Sequence, residues 1–230
     1  FTKRFKRPMK DVSIILPNYA IDEQVEQYLE QCLDALEKNT DMARVQFIVV
    51  DNGSPRENDR LKRLADIYIR KDYPMGYARA VNAGFALADC EWIVVLNNDL
   101  FLQEGWLDKM IEAYESTPGG VLAPFDYPTA AGPISYDKHW YSLILMRRNV
   151  QREVGYFDES MNFRFHDQDY SIRVKKAGFQ VMRTPNVNVA HINSATYSKM
   201  PQRSGEPAEM AKMVQKWGVT MFEDWVQRNP

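Results

Sequence analysis

Short apolar runs alternate with amphipathic segments through the first half of the chain. Three runs, VSIILP (12–17), VQFIVVD (45–51) and EWIVVL (91–96), contain few polar residues, which predicts strands buried on both faces. Between these runs, residues 22–38 carry apolar positions at helical spacing, and residues 76–88 also fit a helix. Strands that alternate with helices predict a mostly parallel sheet with right-handed crossovers, as in a Rossmann-like α/β fold.

The same patterning predicts the other elements. We expect a short helix that opens at Pro55 and runs through Leu64, because proline suits the first helical position. Residues 124–140 are rich in Pro, Gly, Ala and aromatic residues, which indicates a loop-rich insertion. Further strands are predicted at 67–69, 142–148, 179–184 and 187–192, and further helices at 104–115, at 167–177 and from about 206 onward.

Length and composition favour one domain and exclude some functions. A chain of 230 residues with 45% hydrophobic content is long enough for one sizeable core. Its net charge of −2 gives no case for nucleic acid as a partner. Cys32 and Cys90 lack metal-ligand spacing, so we expect a reducing, cytoplasmic compartment. No apolar run approaches the roughly 20 residues that span a bilayer, and no signal peptide is visible.

The first ten residues form a basic cluster. Such a cluster suits peripheral contact with an anionic membrane or a charged acceptor, and a solvated tail is the alternative that we favour. Its members are Lys3, Arg4, Lys6, Arg7 and Lys10.

Polar residues follow three of the predicted parallel strands at the points where they end. Tyr19 follows the first strand, Asp51 ends the second, and Asn97 to Asp99 follow the strand at 91–96. The carboxyl edge of a parallel sheet is where ligands bind, so one cleft could gather these groups. A carboxylate beside amide oxygens suits Mg²⁺ or Mn²⁺ carrying a substrate diphosphate. Polar turns before a helix or a glycine are the alternative.

At this point the chain resembles the inverting GT-A glycosyltransferases of family 2. The resemblance covers about residues 12–217 and rests on a series of motifs in the family's order. It implies a single GT-A domain with a nucleotide-binding half at about 11–100, an acceptor-binding half at about 101–205 and a C-terminal helical region at about 206–230. The motifs are VSIILPNY, FIVVDNGS, GYARAVNAG, WIVVLNNDL, GYFDESMNFRFHDQDYSIRVKKAGF, VAHI and KWG.

The resemblance implies a donor site. Pro17 and Tyr19 would line the nucleotide pocket, and Asp51 would hydrogen-bond the base or ribose. Asp72, Arg79 and Asn82 fall in the segment that lies over the nucleotide and sugar in relatives. Arg79 would neutralise diphosphate charge, and a surface role is the alternative.

The resemblance also implies a metal site, because Asn97 and Asp99 stand where the family carries its Asp-x-Asp motif. His191, in VAHI, matches a histidine that completes the metal or diphosphate site. We expect Asn97 to contact the nucleotide, and Asp99 and His191 to hold Mn²⁺ or Mg²⁺. Without the match, a lone histidine beside apolar residues is more often structural.

On the acceptor side, HDQD (166–169) matches the family's Glu-Asp motif, which implies that Asp167 is the catalytic base. Inversion needs one carboxylate to take a proton from the attacking hydroxyl. The alternative is that Asp167 and Asp169 only complement the helix dipole. We expect His166 and Trp140 to contact the acceptor, although the aromatic rings of the insertion are more often packing. The chain departs from the pattern in that Asn97 replaces the first acid and His166 replaces the usual glutamate.

The sequence thus predicts a metal-assisted inverting glycosyltransferase. It would move a sugar from a nucleoside-diphosphate donor, with a UDP-sugar favoured, to a hydroxyl of a glycan, glycolipid or protein. We expect residues 193–206, which are polar and aperiodic, to form a lid over the donor. One alternative is a nucleotidyltransferase, which would show a glycine- and basic-rich loop after the first strand, unlike PNYAIDEQ. The other is an inactive module that binds glycans or nucleotides, favoured by Asn97 and His166.

Overall fold

The apolar runs form strands of one sheet in the computed structural model, which describes residues 10–117, 119–128, 141–162, 164–191, 196, 199 and 206–229. Within these residues the sheet has eight strands, in the order β3-β2-β1-β4-β7-β6-β8-β5. They are β1 (Val12–Asn18), β2 (Val45–Asp51), β3 (Ile67–Arg70), β4 (Trp92–Leu96), β5 (Leu100–Leu102), β6 (Gly120–Pro128), β7 (Leu143–Arg147) and β8 (Gln180–His191).

The topology combines a parallel half with a mixed half. Strands β3, β2, β1 and β4 are parallel, as the sequence predicts for a Rossmann-like half. Strand β7 is antiparallel to both β4 and β6. Strand β8 is parallel to β6 and antiparallel to β5. The parallel half therefore ends at β4, and the strands that follow it along the sheet run in both directions.

Eight α-helices lie in the described part of the chain. Helix α1 begins after Asp22, whose carboxylate accepts a hydrogen bond of 3.0 Å from the Val25 amide as an N-cap. No helix among the described residues is long and apolar enough to cross a membrane. The helices are α1 (Glu23–Asn39), α2 (Asp59–Leu64), α3 (Tyr77–Phe85), α4 (Trp106–Glu115), α5 (Arg148–Val154), α6 (His166–Lys176), α7 (Glu206–Trp217) and α8 (Phe222–Arg228).

The core lies on both faces of the sheet, because successive strand side chains point to opposite sides. Ile14 and Leu16 pack on one face with α1 and α4, and Ile15 packs on the other with α3 and α6. All seven residues of β1 are buried. The prediction that the unbroken apolar runs are buried on both faces is therefore confirmed.

Several element predictions are wrong in detail. Helix α2 starts at Asp59 rather than Pro55, because the Asn58 side chain caps it by accepting a hydrogen bond of 3.0 Å from the Leu61 amide. The two strands predicted at 179–184 and 187–192 are replaced by one strand, β8 (Gln180–His191), whose pairing with β6 has an irregularity between Pro124 and Phe125.

The predicted insertion at 124–140 is partly wrong, since β6 continues to Pro128. The other residues of that insertion, Trp140 among them, lie outside the described residues. The basic residues before Lys10 also lie outside, whereas Lys10 forms an ion pair with Asp66. Strand β5 and helix α5 were not predicted.

Candidate functional site

The ends of β1, β2 and β4 meet at one edge of the sheet, as predicted. The register places Asn18 directly beside Asp51. The Asn98 amide donates a hydrogen bond of 2.8 Å to the Asn18 side-chain oxygen, and the Asn18 amide donates one of 3.2 Å to the Ser54 hydroxyl. This buried polar chain fixes the three strand ends relative to one another. Pro17 is buried in β1 next to it, and Tyr19 is partly exposed.

Asp51 organises the turn that follows β2. Its Oδ1 accepts a hydrogen bond of 3.0 Å from the Ser54 amide, and its Oδ2 accepts one of 3.0 Å from the Tyr68 hydroxyl. Arg70 forms an ion pair with the same Oδ2 atom. Both carboxylate oxygens thus have protein partners, which supports the structural alternative for Asp51. The predicted contact with a base or ribose stays a prediction.

The same turn needs a glycine at position 53. Gly53 has φ of +80°, and a Cβ atom there would lie 2.4 Å from the backbone carbonyl carbon of Tyr73. We expect Gly53→Ala to lower the free energy of unfolding by more than about 1 kcal/mol, because strain and the backbone clash add. Gly178→Ala is the matched control, since φ is +85° and no heavy atom lies within 4 Å of its Cβ position. Urea unfolding of both variants measures the difference; equal losses would contradict the role of the close approach.

Helix α3 is joined to the segment before α6. Asp72 is exposed, and Arg79, itself exposed, forms an ion pair of 3.2 Å with Glu159. The Asn82 amide donates a hydrogen bond of 3.0 Å to the Phe157 carbonyl oxygen, and Asn82 Oδ1 accepts one of 2.8 Å from the Phe157 amide. The predicted donor contacts of Asp72 and Arg79 therefore remain predictions, with Arg79 engaged by a carboxylate.

The predicted lid at 193–206 falls almost entirely outside the described residues. Of its described residues, Thr196 donates a hydrogen bond of 3.5 Å to the Tyr19 carbonyl oxygen. Lys199 lies 2.6 Å from a carboxylate oxygen of Asp22. Both contacts are with the connection between β1 and α1, beside the residues predicted to line the nucleotide pocket.

Asp99 and His191 lie together, as the sequence predicted. Pairing of β5 with β8 places Leu100 opposite His191, and this brings His191 Nε2 to 3.2 Å from Asp99 Oδ1. Both side chains are buried, at 5% and 7% exposure. Asp99 Oδ1 makes no hydrogen bond with any described residue. A buried carboxylate oxygen beside an imidazole is a donor set that suits Mn²⁺.

Tyr77 joins the two sides of the site, and sequence reasoning did not single it out. Its hydroxyl lies 2.8 Å from Asn97 Oδ1 and 3.1 Å from the Tyr141 carbonyl oxygen. Burial raises the pKa of Tyr77, and the charges of Asp167 and Asp99 raise it further. The phenol is thus coupled electrostatically to both of these predicted site residues. The one feature of the sequence that could have pointed to Tyr77 is its position in the motif GYARAVNAG.

His166 is stacked between two aromatic rings. Its ring centroid lies 4.8 Å from that of Tyr77 and 5.6 Å from that of Phe157, with interplanar angles of 28° and 27°. Burial lowers the pKa of His166 to about 4, so the imidazole is neutral near pH 7. His166 thus packs between α3 and the segment before α6. Its predicted contact with an acceptor is untested by this geometry.

The two acids at the start of α6 differ in environment. Asp167 is buried, and its Oδ1 accepts a hydrogen bond of 2.9 Å from the Gln168 amide. Burial raises the pKa of Asp167 to about 6. Asp169 is fully buried and accepts hydrogen bonds from Arg173 and Trp217, at 2.8 and 2.9 Å. Asp169 is therefore a structural ion-pair partner, and the role of Asp167 as the catalytic base stays a prediction.

Comparison with known proteins gives a family and a fold. The family model described as Glycosyl transferase family 2 matches residues 13–176. The O-antigen biosynthesis protein RfbC of Myxococcus xanthus is 24% identical, over 73% of this chain and 16% of that protein. The chain thus spans only a small part of this curated relative.

Three solved structures are similar in fold. TarS of S. aureus has a TM-score of 0.66 at 13% identity, over 89% of this chain and 40% of that one. The mannosyltransferase PcManGT from Pyrobaculum calidifontis, in complex with GDP-Man and Mn²⁺, gives 0.65 at 15% identity, over 90% and 65%. GalNAc-T7 with UDP, GalNAc and Mn²⁺ gives 0.64 at 12% identity, over 81% and 44%. These likenesses confirm the predicted GT-A fold class.

Proposed function

The chain belongs to glycosyl transferase family 2, and on that premise we propose that it transfers a sugar from a nucleoside-diphosphate donor to a hydroxyl acceptor with inversion at the anomeric carbon. A UDP-sugar is the favoured donor, and a glycan, glycolipid or protein is the acceptor. The observation that carries this proposal is Tyr77, whose hydroxyl contacts Asn97 Oδ1 and whose pKa is raised by burial and by the charges of both Asp167 and Asp99. These links support a single site in which Asp99 would hold the metal and Asp167 would act as the base.

The donor would bind along the carboxyl edge of the parallel strands, where Pro17, Tyr19 and Asp51 lie. Support comes from the fold relatives: TarS was crystallised with UDP-GlcNAc, and PcManGT with GDP-Man. The rigid chain of Asn98, Asn18 and Ser54 would hold this edge ready for the nucleotide before it binds.

Asp99 and His191 would hold a divalent cation, Mn²⁺ or Mg²⁺, and the buried Asp99 Oδ1 atom without a hydrogen bond fits this role. When bound, the cation would stabilise the negative charge of the diphosphate leaving group. Asn97 would orient the donor beside it while Tyr77 fixes the Asn97 side chain. GalNAc-T7 and PcManGT were both crystallised with Mn²⁺, which supports the use of a divalent cation.

Asp167 would act as the general base. Its carboxylate would take the proton from the acceptor hydroxyl as that oxygen attacks the anomeric carbon, on the face opposite the leaving diphosphate. A carboxyl with a pKa of about 6 is mostly ionised at neutral pH, and it accepts a proton more readily than an exposed aspartate does. The ring stack of Tyr77, His166 and Phe157 beside it would limit access of water.

We expect the pH profile of kcat/KM to have an acid limb with an apparent pKa near 6. Asp167 works only when ionised, so activity falls as pH drops through the pKa of about 6 and is full above it. Burial raises this pKa and the nearby Arg164 charge lowers it, while His166, with a pKa of about 4, and Tyr77 are neutral around pH 6. Initial rates at fixed ionic strength between pH 4.5 and 8 measure the limb. A limb centred near the ordinary aspartate value would contradict the assignment.

The second candidate function is binding without transfer, as in an inactive module. Asn97 favours it, because an amide stands at the first acid position and its oxygen accepts from Tyr77. In addition, no cluster of three or more His, Cys, Asp or Glu side chains suited to a metal occurs among the described residues.

Incubation with UDP- and GDP-sugars, Mn²⁺ and a glycan panel decides between the two functions. Mass spectrometry detects a glycosylated product, and NMR of that product gives its anomeric configuration. Transfer with inverted configuration supports the enzyme. Saturable nucleotide-sugar binding without any product, or release of free sugar, supports the inactive module.

A further inference from the structure

Helix α7 places a buried carboxylate against the segment that leads into α6. Glu209 is 7% exposed. Its Oε1 accepts a hydrogen bond of 3.0 Å from the Asn162 backbone amide, and its Oε2 accepts one of 2.7 Å from the Arg164 backbone amide. Helix α7 lies beyond the residues 13–176 that the family model matches. A buried carboxylate is costly unless such charge-assisted bonds compensate for its lost hydration.

The segment that Glu209 holds also contacts the donor side. The Asn162 backbone oxygen accepts a hydrogen bond of 3.2 Å from the Ala78 amide, and Asn162 Oδ1 accepts one of 3.2 Å from the Arg79 amide. The Asn162 side-chain amide donates to the Met75 carbonyl oxygen. Asn162 therefore satisfies backbone groups at the start of α3, the helix that begins with Tyr77.

On its other side, the segment runs directly into the proposed base. Arg164 is followed by Phe165, which has φ of +61° and is the one described residue other than glycine with a positive φ. Asp167 comes two residues later, in the first turn of α6. A residue other than glycine keeps this strained left-handed conformation only when several contacts around it hold it in place. The bond from the Arg164 amide to Glu209 is one such constraint, located immediately before it.

We propose that Glu209 is a positioning residue that holds the backbone at Asn162 and Arg164, and thereby sets the base Asp167 relative to the donor held beside Tyr77. The inference rests on the proposed function, since it assigns Glu209 a part in that transfer. Glu209 acts through Asn162 and Arg164 and does not itself touch substrate. The proton-transfer geometry is sensitive to such support, because an error of about 1 Å in position costs on the order of 100-fold in rate.

The test compares Glu209→Gln, Glu209→Ala and Gln215→Ala. Glutamine keeps the size of the side chain but has only one acceptor oxygen for the two amides, whereas alanine removes both acceptors. Gln215 is exposed on the same helix, so Gln215→Ala controls for substitution in α7. We expect kcat to fall about 10-fold in the glutamine variant and by up to about 100-fold in the alanine variant. The KM for the donor should stay within about twofold of the wild-type value, because Asn162 keeps its own bonds to the Met75, Ala78 and Arg79 backbone groups in these variants.

Thermal unfolding of each variant accompanies the kinetics. A glutamine variant that keeps the wild-type melting temperature and loses kcat supports the proposal. Unchanged kcat in that variant, a rise in donor KM at constant kcat, or a loss of activity only in proportion to lost folded protein overturns it. If the wild-type chain transfers no sugar, or Asp167→Asn keeps full activity, the proposed function fails and this inference fails with it. Transfer by the wild type that Glu209→Gln leaves intact overturns the inference alone.

Discussion

Replacement of Asp167 with asparagine is expected to lower sugar transfer by about 10²- to 10⁴-fold, which is the usual contribution of a positioned general base. Asparagine has nearly the same shape and can still accept the hydrogen bond of 2.9 Å from the Gln168 amide through its side-chain oxygen. The fold and the binding of the donor should therefore persist. Single-turnover rates with saturating donor and acceptor, together with calorimetric titration of UDP, separate the loss of chemistry from any loss of binding.

Two further variants show whether the effect is specific to Asp167. Asp224→Asn removes an exposed acid on α8 and should leave the rate unchanged. His166→Glu restores the residue usual in the family and should retain measurable transfer, because consecutive helical residues point in different directions. Loss of transfer in His166→Glu, with an active Asp167→Asn, would show that the base was assigned to the wrong residue.

Replacement of Asp99 with alanine is expected to weaken UDP binding in the presence of Mn²⁺ by about 100-fold. Loss of supporting groups around a metal costs 10- to 100-fold in affinity, and loss of a ligand should cost at least the upper part of that range. The wild type should bind UDP more weakly in chelator than in Mn²⁺, while the variant should bind it weakly in both. Calorimetric titrations with Mn²⁺ and with chelator measure all four affinities.

Asp59→Ala is the matched control for that titration, because Asp59 is an exposed acid at the start of α2. It should retain the wild-type dependence on Mn²⁺. Equal affinity in chelator and in metal, for the wild type and for Asp99→Ala alike, would contradict the metal site. Such a result would leave the pair of Asp99 and His191 as a structural contact.

The sequence predicted the parts of the fold that local pattern determines. The runs that form β1, β2 and β4 are continuous and apolar, so burial on both faces could be inferred directly. Strand β5 has three residues, which is too short to show a periodic pattern of apolar and polar positions. Strand β6 contains two prolines, which led to the prediction of a loop. These strands form because β8 pairs with both, and this pairing cannot be inferred from the pattern within either strand.

The candidate site was predicted where motifs coincide with strand ends, as for Asp99 and His191, which the structure places 3.2 Å apart. Tyr77 and Glu209 could not be predicted in the same way. A tyrosine after a glycine and a glutamate in an amphipathic helix are common, and their roles depend on partners 20 to 64 residues away along the chain. The residues around Tyr77 and Glu209 in the sequence do not indicate which distant groups these side chains contact.

The position of β5 at the edge of the sheet affects the order of assembly during synthesis. Asp99 directly precedes β5, and β5 pairs in the sheet with β8, which ends at His191. Once β1 to β4 have left the exit tunnel, the four parallel strands can pair as a unit while the rest of the chain is made. The pair of Asp99 and His191, which we propose to hold a cation, cannot form until residue 191 has left the exit tunnel. The nascent chain would therefore complete the proposed nucleotide edge first and the proposed cation site later, separated by the synthesis of about 90 residues.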